Sequence, residues 1–294
     1  MKNKPKNRLR QCGINPQHFS KGQIGFLVYL IPVCTVMALP IVYIFMNAFK
    51  PYDELFAYPP RFFVREPTFD NFAQLFSLSS GTDIPASRYL FNSITSTLVT
   101  VFCTLLMAST AAYVFSKKKF RAKKTLFAIS MMGLMFASVA VAIPRYFVVV
   151  YLGLHDNFLA NIIPLLVTPT GVFLIKQFVD QLPDALVEAA VIDGATDYQI
   201  FRKIIFPLVQ PALATVAIMS FKGAWNASEA SSLFIDNETL KTFPFYISTL
   251  ISSGGVASAG VSAAATLIML LPNLIMFIVL QSRVMNTMAH SGIK

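Results

Sequence analysis

The sequence predicts an all-α, polytopic membrane protein with six transmembrane helices. Three observations support this: the composition, the length of the apolar runs and the positions of the basic residues. Hydrophobic residues fill 55% of the 294 positions and charged residues only 13%, against roughly 25% charged in ordinary globular chains. So few charges could not cover the surface of a soluble protein of this length. A bilayer accepts apolar surface, and segments crossing it must be helical because an open strand would leave backbone groups unpaired.

Six apolar stretches are long enough to cross about 30 Å of hydrocarbon, which takes about 20 helical residues. They lie at 24–49, 89–115, 125–150, 158–175, 205–225 and 261–281. The first exceeds the apolar region of a cleaved signal peptide and no small-residue cleavage site follows it, so we expect it to remain as an anchor. The sequence therefore predicts a transmembrane domain at 24–281, a basic tail at 1–23 and a short tail at 282–294.

The basic residues predict the orientation of these helices. Residues 1–23 contain six Lys and Arg, and the loop at 117–124 contains six more, whereas residues 50–88 contain four against five acidic residues. Cytoplasmic loops carry the excess of Lys and Arg. We therefore expect both termini and the loop at 176–206 to lie in the cytoplasm, with 226–260 outside.

The sequence gives little support to nucleic-acid or metal binding. The net charge of +10 comes from clusters beside apolar runs, and it is not interleaved with aromatic residues on one face as a nucleic-acid surface would be. The three cysteines, Cys12, Cys34 and Cys103, form no CxxC pair and no cluster with histidine. Neither a zinc site nor a disulfide framework is expected.

Residues 183–211, PDALVEAAVIDGATDYQIFRKIIFPLVQP, predict a helical hairpin between the fourth and fifth spans. Pro183 suits the start of a short helix, and Gly194 suits its end because glycine tolerates left-handed backbone. Thr196 and Gln199 fit a capping box that begins a second helix. The small residues of the hairpin would let another surface approach closely. The hairpin is therefore either a docking element or a surface feature held only by its neighbours.

This segment resembles the EAA loop of bacterial ABC importer permeases, whose pattern runs EAA, DGA, F, I, PL and P. The matching residues, all in register, are Glu188, Ala189, Ala190, Asp193, Gly194, Ala195, Phe201, Ile204, Pro207, Leu208 and Pro211. Segments 171–174, 225–226 and 287–294 are similar to the carbohydrate-uptake branch of that family, of the maltose-permease (MalG) type. The resemblance implies half of a translocation pore for a sugar or oligosaccharide in the bacterial cytoplasmic membrane.

In that family the loop is a coupling helix that sits in a cleft of a separate ATPase subunit. The resemblance implies that Glu188 contacts the ATPase, Gly194 permits the turn and close approach, Phe201 anchors the second helix and Asp193 stabilises the turn. The chain has no G-x-x-x-x-G-K-[ST] phosphate loop, so it is expected not to be an enzyme and to bind no cofactor, with ATP and Mg on the ATPase. The implied partners are a second, different permease chain, two ATPase subunits and an extracytoplasmic sugar-binding protein.

Polar groups at membrane depth are costly and mark candidate pathway residues. Asn273, directly after Pro272 in the sixth span, either lines the pathway or pairs with a carbonyl or a neighbouring helix. Thr168 and Thr170 flank Pro169 in the fourth span. A kink there either offers carbonyls to sugar hydroxyls or is a structural bend.

Two further pairs of candidate pathway residues lie near the predicted outer ends of spans. Arg145, followed by Tyr146, either contacts cargo or extends to the interface. Trp225 and Asn226 are predicted to close the fifth span at the outer face, either as an interfacial anchor or as a stacking platform for a sugar ring.

Other functions remain as alternatives. An ABC permease could carry an amino acid, a peptide or an ion instead of a sugar. An ion-driven secondary carrier usually has acidic residues in its membrane helices, and the six predicted spans contain none. A membrane enzyme would need a nucleophile–base pair or a metal constellation, and a scaffold would bind an ATPase without moving cargo.

Overall fold

The computed structural model describes residues 21–77, 84–136, 140–252 and 259–291, with side chains described only within 24–281. Most of the predicted tail at 1–23 therefore lies outside the described residues, and so do the side chains of the predicted tail at 282–294. Within the described residues the fold contains helices and turns and no strand, as the sequence predicts.

Fifteen α-helices occur in the described part of the chain, joined by short 3-10 segments and one π-helix. In chain order they are α1 (Lys21–Ala48), α2 (Tyr52–Leu55), α3 (Asp70–Ser77), α4 (Ala86–Lys117), α5 (Lys123–Met132), α6 (Ala142–Tyr151), α7 (Ile163–Leu166), α8 (Pro169–Asp180), α9 (Asp184–Ile192), α10 (Asp197–Ile200), α11 (Phe206–Leu208), α12 (Gln210–Trp225), α13 (Glu229–Leu233), α14 (Phe243–Ser252) and α15 (Ala259–Ser291).

Three of the described helices are long and apolar enough to cross a membrane by themselves. Their apolar portions are Ile24–Ala48, Ala86–Lys117 and Ala259–Gln281, which agree with the first, second and sixth predicted spans. Most side chains of α1 are exposed, and its main neighbour is α15. A helix that is apolar all round and exposed is suited to a lipid surround.

The fourth and fifth predicted spans are bent pairs of helices. Phe158–Leu166 and Pro169–Asp180 meet at 42°, and Asp197–Leu208 and Gln210–Leu233 meet at 80°. With both pairs counted, the described residues contain up to five spans. The first bend lies at the Thr168–Pro169 junction predicted from the sequence, because proline cannot donate a backbone hydrogen bond and disfavours helical backbone before it.

The third predicted span, at 125–150, is not one continuous helix in the described residues. α5 ends at Met132, a 3-10 turn covers Gly133–Met135, and α6 begins at Ala142. Ten helical residues, the length of α5 and of α6, rise only about 15 Å, half the hydrocarbon thickness. Gly133 weakens the helix and Pro144 is accommodated only in the first turn of α6. The sequence prediction of a single straight helix was wrong here.

α4 lies at the centre of the bundle and packs against α8, α12 and α14. Its buried side chains are mostly small or hydroxylated: Ser93, Ser96, Thr97, Thr100, Thr104, Ala108, Ser109 and Ala112. Small residues let helix backbones approach closely, which drives association in lipid where apolar side chains gain nothing by leaving solvent.

Two buried asparagines hold the connecting segments to the long helices. The Asn71 side-chain amide donates to the carbonyl oxygens of Ala48 (3.0 Å) and Lys50 (2.8 Å). The Asn92 amide on α4 donates to the carbonyls of Thr239 and Lys241, both at 2.8 Å. The segments after α1 and after α12 are therefore folded against the bundle.

Gly260, in the first turn of α15, lies in close contact with Asn71 of α3 and Leu55 of α2. A Cβ atom there would lie 2.3 Å from Asn71 Oδ1 and 2.8 Å from Leu55 Cδ1. We expect Gly260→Ala to lower the free energy of unfolding by about 1–3 kcal/mol, since Asn71 is fixed by its two hydrogen bonds and cannot retreat freely. Thermal unfolding of the detergent-solubilised protein measures this. The matched control is Gly25→Ala in α1, whose Cβ would meet nothing within 4 Å; equal Tm values for the two variants would contradict the packing argument.

Candidate functional site

The predicted hairpin is present and its turn has a defined hydrogen-bond pattern. Gly194 has φ of 78°, and its backbone N–H donates to Val191 O at 3.0 Å. The Ala195 N–H donates to Ala190 O at 2.9 Å. These two bonds end α9 in a Schellman motif, which requires left-handed backbone at the glycine position. The prediction that Gly194 ends the first helix is confirmed.

The second limb of the hairpin begins with the predicted capping box. The Thr196 N–H donates to Gln199 Oε1 at 2.8 Å, and the Gln199 N–H donates to Thr196 Oγ1 at 3.4 Å. A π-helix at Phe201–Ile205 follows α10. Pro207 lies two residues after its last residue, Ile205, and a proline ring crowds the carbonyl four residues earlier, here that of Lys203 within the π-helix, so the wider turn relieves that contact. Single π turns in helices occur often at functional sites.

The predicted coupling residues divide between the two faces of the hairpin. Glu188, Ala189, Asp193, Gly194 and Pro207 are exposed, whereas Ala190, Ala195, Phe201 and Ile204 are buried or half-buried against the bundle. The Phe201 ring lies 5.7 Å from that of Tyr113 on α4, so it anchors the second limb within the chain. The Asp193 backbone N–H donates to Ala189 O, and no side-chain hydrogen bond of Asp193 occurs among the described residues. The exposed residues of the hairpin are therefore accessible for contact with a partner protein.

Two lysines at the end of α4 hold both limbs of the hairpin. Lys117 Nζ donates to Leu182 O and to Asp184 Oδ1, both at 2.6 Å, with only 6% of its side chain exposed. Lys118 Nζ forms an ion pair with Asp197 at the start of the second limb. From the sequence alone this basic run predicts only the membrane topology, because the local pattern does not show which residues face it in the folded chain.

Each of these ion pairs shifts the pKa of one of its partners, Asp184 in the first pair and Lys118 in the second. The hydrogen bond and charge of Lys117 lower the pKa of Asp184 below its ordinary value. The hydrogen bond from Lys118 to Asp197 raises the pKa of the ammonium. Both shifts favour the charged forms near neutral pH, so the two bridges stay ionised there. We name them the Lys117–Lys118 clamp.

Trp225 ends α12 and Asn226 is its C-cap residue, so the pair closes this helix as expected; its place at the outer face of the membrane stays a prediction. Trp225 is 3% exposed, and its indole Nε1 donates to Met269 O at 2.9 Å. Met269 is ten residues after the start of α15 at Ala259, which places it about 15 Å along that helix. The Asn273 amide donates to Met269 O (3.1 Å) and, at 3.4 Å, to Asn226 Oδ1. Asn273 therefore makes the inter-helix pairing that the sequence left as an alternative.

Two adjoining cavities bring several predicted pathway residues together. The first, of about 360 Å³, is lined by Thr168, Thr170 and, across from them, Ser220. The Thr168 and Ser220 hydroxyls are buried without a hydrogen-bond partner in the described structure. The second, of about 320 Å³, is lined by Arg145, Asn226, Glu229 and others, and it shares Leu165 and Gly223 with the first.

The remaining predicted pathway residues lie elsewhere. Tyr146 packs edge-on against Phe147 and His155, away from the two adjoining cavities. Trp225 stacks on Phe221 at 5.9 Å between ring centroids and borders an apolar hollow. Arg145, by contrast, lines the second cavity, where it makes an ion pair with Glu229.

Sequence reasoning missed three polar residues that matter at these sites: Ser220, Lys222 and Glu229. Ser220 and Lys222 lie within the predicted fifth span, so a search for polar residues inside apolar stretches would have found them. Glu229 lies in a segment predicted to be an outer loop, and only the folded chain brings it to Arg145.

Comparison with known proteins gives consistent matches along the chain. The sequence model of the family described as "binding-protein-dependent transport system inner membrane component" matches residues 104–282. The chain is 26% identical to the inner membrane ABC transporter permease protein YcjP of Escherichia coli K12, over 92% of this chain and 96% of that protein. It is 26% identical to the arabinooligosaccharides transport system permease protein AraQ of Bacillus subtilis, over 95% of this chain and 98% of that one.

A solved structure shares the fold. A chain of a bacterial ABC transporter involved in the import of the acidic polysaccharide alginate superposes with a TM-score of 0.75 at 21% sequence identity. The superposition covers 90% of this chain and 98% of that chain.

Proposed function

Because the chain belongs to the family of binding-protein-dependent transport inner membrane components, we propose that it is the permease subunit of an ABC importer that moves a sugar or oligosaccharide. It forms half of the pore, beside a second permease chain of different sequence. Its place is the bacterial cytoplasmic membrane, with six membrane-crossing segments and both termini in the cytoplasm. A binding protein delivers the cargo from outside, and two ATPase subunits bind ATP and Mg inside.

The observation that carries this proposal is the hairpin and its attachment to the bundle. α9 follows α8 after a short turn, the second limb continues into α12, and the Lys117–Lys118 clamp ties both limbs to α4. α4, α8 and α12 pack on one another. A rigid displacement of the hairpin by a closing ATPase dimer would therefore move the helices that border the cavities. Such coupling requires that the ATPase bind two arrangements of the bundle with different affinity.

Sugar as cargo is supported by the chemistry of the adjoining cavities and by the relatives. Thr168, Thr170 and Ser220 border one cavity of about 360 Å³, and Asn226 borders the other, of about 320 Å³; both are within the usual size of a small-molecule site. Hydroxyl and amide groups both donate and accept hydrogen bonds, which suits polyols. AraQ is named for arabinooligosaccharides.

Uptake by the reconstituted complex tests the proposal. The permease, its partner permease and the ATPase are placed in proteoliposomes with the binding protein, and labelled neutral and acidic oligosaccharides are offered with labelled amino acids and peptides as competitors. We expect saccharide uptake that needs both ATP hydrolysis and the binding protein. Uptake that persists with a hydrolysis-dead ATPase would instead indicate an ion-driven carrier, and uptake of only amino acids or peptides would overturn the cargo assignment.

A further inference from the structure

One face of α12 is left uncovered by the parts of the chain that the structure describes. Its buried side, which includes Val216, Ser220 and Trp225, packs among α4, α8 and α15. The other side presents Lys222 and Asn226, which are exposed and one turn apart. Asn273 of α15 continues this face through its contact with Asn226. We call Lys222, Asn226 and Asn273 the polar stripe.

The polar stripe lies deep in the membrane-spanning bundle. Trp225, next to Asn226, is bonded to α15 at Met269, about 15 Å from the Ala259 end of that helix. Lys222 lies about one helical turn farther from that end, because α12 runs toward it. In the other direction, Lys222 is twelve residues after the start of α12 at Gln210, about 18 Å along that helix. This depth disfavours a lysine that merely extends to lipid headgroups.

The positive charge of Lys222 limits what the polar stripe can face. Lys222 has no ion pair or side-chain hydrogen bond with the part of the chain that the structure describes, whereas Arg145 is neutralised by Glu229. The Asn226 and Asn273 amides donate to Lys222 O and Met269 O, but an ammonium without a partner would be strongly unfavourable against lipid tails. Charged groups in membrane helices normally face a water-filled cavity or a partner.

We infer that the polar stripe lines the aqueous path between this chain and its partner permease, and that Lys222 makes this path favour saccharides carrying a carboxylate, sulfate or phosphate group. The inference rests on the proposed function, since it needs a path between two permease chains. An ammonium offers three hydrogen-bond donors and no acceptor, and a cation at a constriction selects for anions. The two adjoining cavities, one of which Asn226 lines, would hold the neutral part of the same molecule.

Cysteine labelling tests the inference without knowledge of the cargo. Cys12, Cys34 and Cys103 are first replaced by serine, and Asn226→Cys is introduced into the complete transporter in membrane vesicles. Its reaction rates with an anionic and a cationic methanethiosulfonate are compared, with Lys222 intact, Lys222→Gln and Lys222→Arg. Ile275→Cys is the control, because it is exposed but lies two residues from Asn273, on the opposite side of α15.

We expect Asn226→Cys to react with both reagents and Ile275→Cys with neither. Lys222→Gln should lower the ratio of anionic to cationic rates about tenfold, since one charge acts in opposite directions on the two reagents at about 6 Å. Lys222→Arg should retain the ratio. If Asn226→Cys is as unreactive as Ile275→Cys in a transporter that still co-purifies with its partner permease and ATPase, the polar stripe is not in the path. An unchanged ratio in Lys222→Gln would show that its charge does not act there, for example because a partner carboxylate neutralises it. Absence of ATP-dependent uptake by the cysteine-free transporter with Asn226 and Lys222 intact would count against the proposed function instead.

Discussion

Gly194→Trp should abolish binding of the permease to its ATPase while the protein still inserts into the membrane. Gly194 lies at the exposed tip of the hairpin, and a Cβ there would meet nothing within 4 Å, so the chain itself has room for a side chain. An indole would, however, stand between the hairpin and any surface that approaches it. Residues at the centre of an interface commonly contribute 2 kcal/mol or more. We therefore expect at least a roughly 30-fold loss of affinity, since about 1.4 kcal/mol corresponds to each factor of ten.

Co-purification from detergent-solubilised membranes, with titration of purified ATPase, measures this loss. Tryptophan at φ of 78° is also strained, so Gly194→Asn is the matched control, because asparagine adopts left-handed backbone more readily than other residues and adds a small side chain. We expect Gly194→Asn to retain most of the binding. Normal ATPase binding by Gly194→Trp would show that the hairpin tip is not the docking surface.

The hairpin could be predicted from the sequence because its structure is decided locally. Pro183, Gly194 and the Thr196–Gln199 pair each act through backbone groups within a few residues, so their effect does not depend on the rest of the fold. The same holds for the bend at Pro169. Local rules also identified the three long apolar helices.

The depth of Trp225 and the pairing of Arg145 with Glu229 could not be predicted in this way. Hydropathy assigns a residue to a span but does not say how far one helix extends beside another. It locates the end of α12 but does not show that the Trp225 indole donates to Met269 O of α15. The broken third span was missed for a related reason, because a window average across 125–150 conceals the short segment where Gly133 ends regular α-helix.

Lys117→Met should uncouple transport from ATP hydrolysis while leaving the ATPase bound. Methionine keeps an unbranched stem of similar length but removes the ammonium, so Leu182 O and Asp184 lose their shared partner. The Asp184 carboxylate is 78% exposed and water replaces its partner readily. The Leu182 carbonyl is the larger loss, about 1–3 kcal/mol if it is left unsatisfied. The Schellman turn and capping box lie within the hairpin and persist, so its docking surface is retained.

The consequence is a hairpin that still binds the ATPase but is tied less firmly to α4. We expect cargo imported per ATP hydrolysed to fall roughly tenfold, since about 1.4 kcal/mol of lost coupling corresponds to one factor of ten. Parallel assays of uptake and phosphate release in proteoliposomes measure this ratio.

Lys119→Met is the matched control, because Lys119 belongs to the same basic run and is exposed, and it makes no ion pair within the described residues. A general effect of charge on orientation would lower transport equally in both variants, whereas force transmission through the Lys117–Lys118 clamp lowers it only in Lys117→Met. Equal import ratios in the two variants would therefore exclude the clamp as the mechanical link between hairpin and bundle.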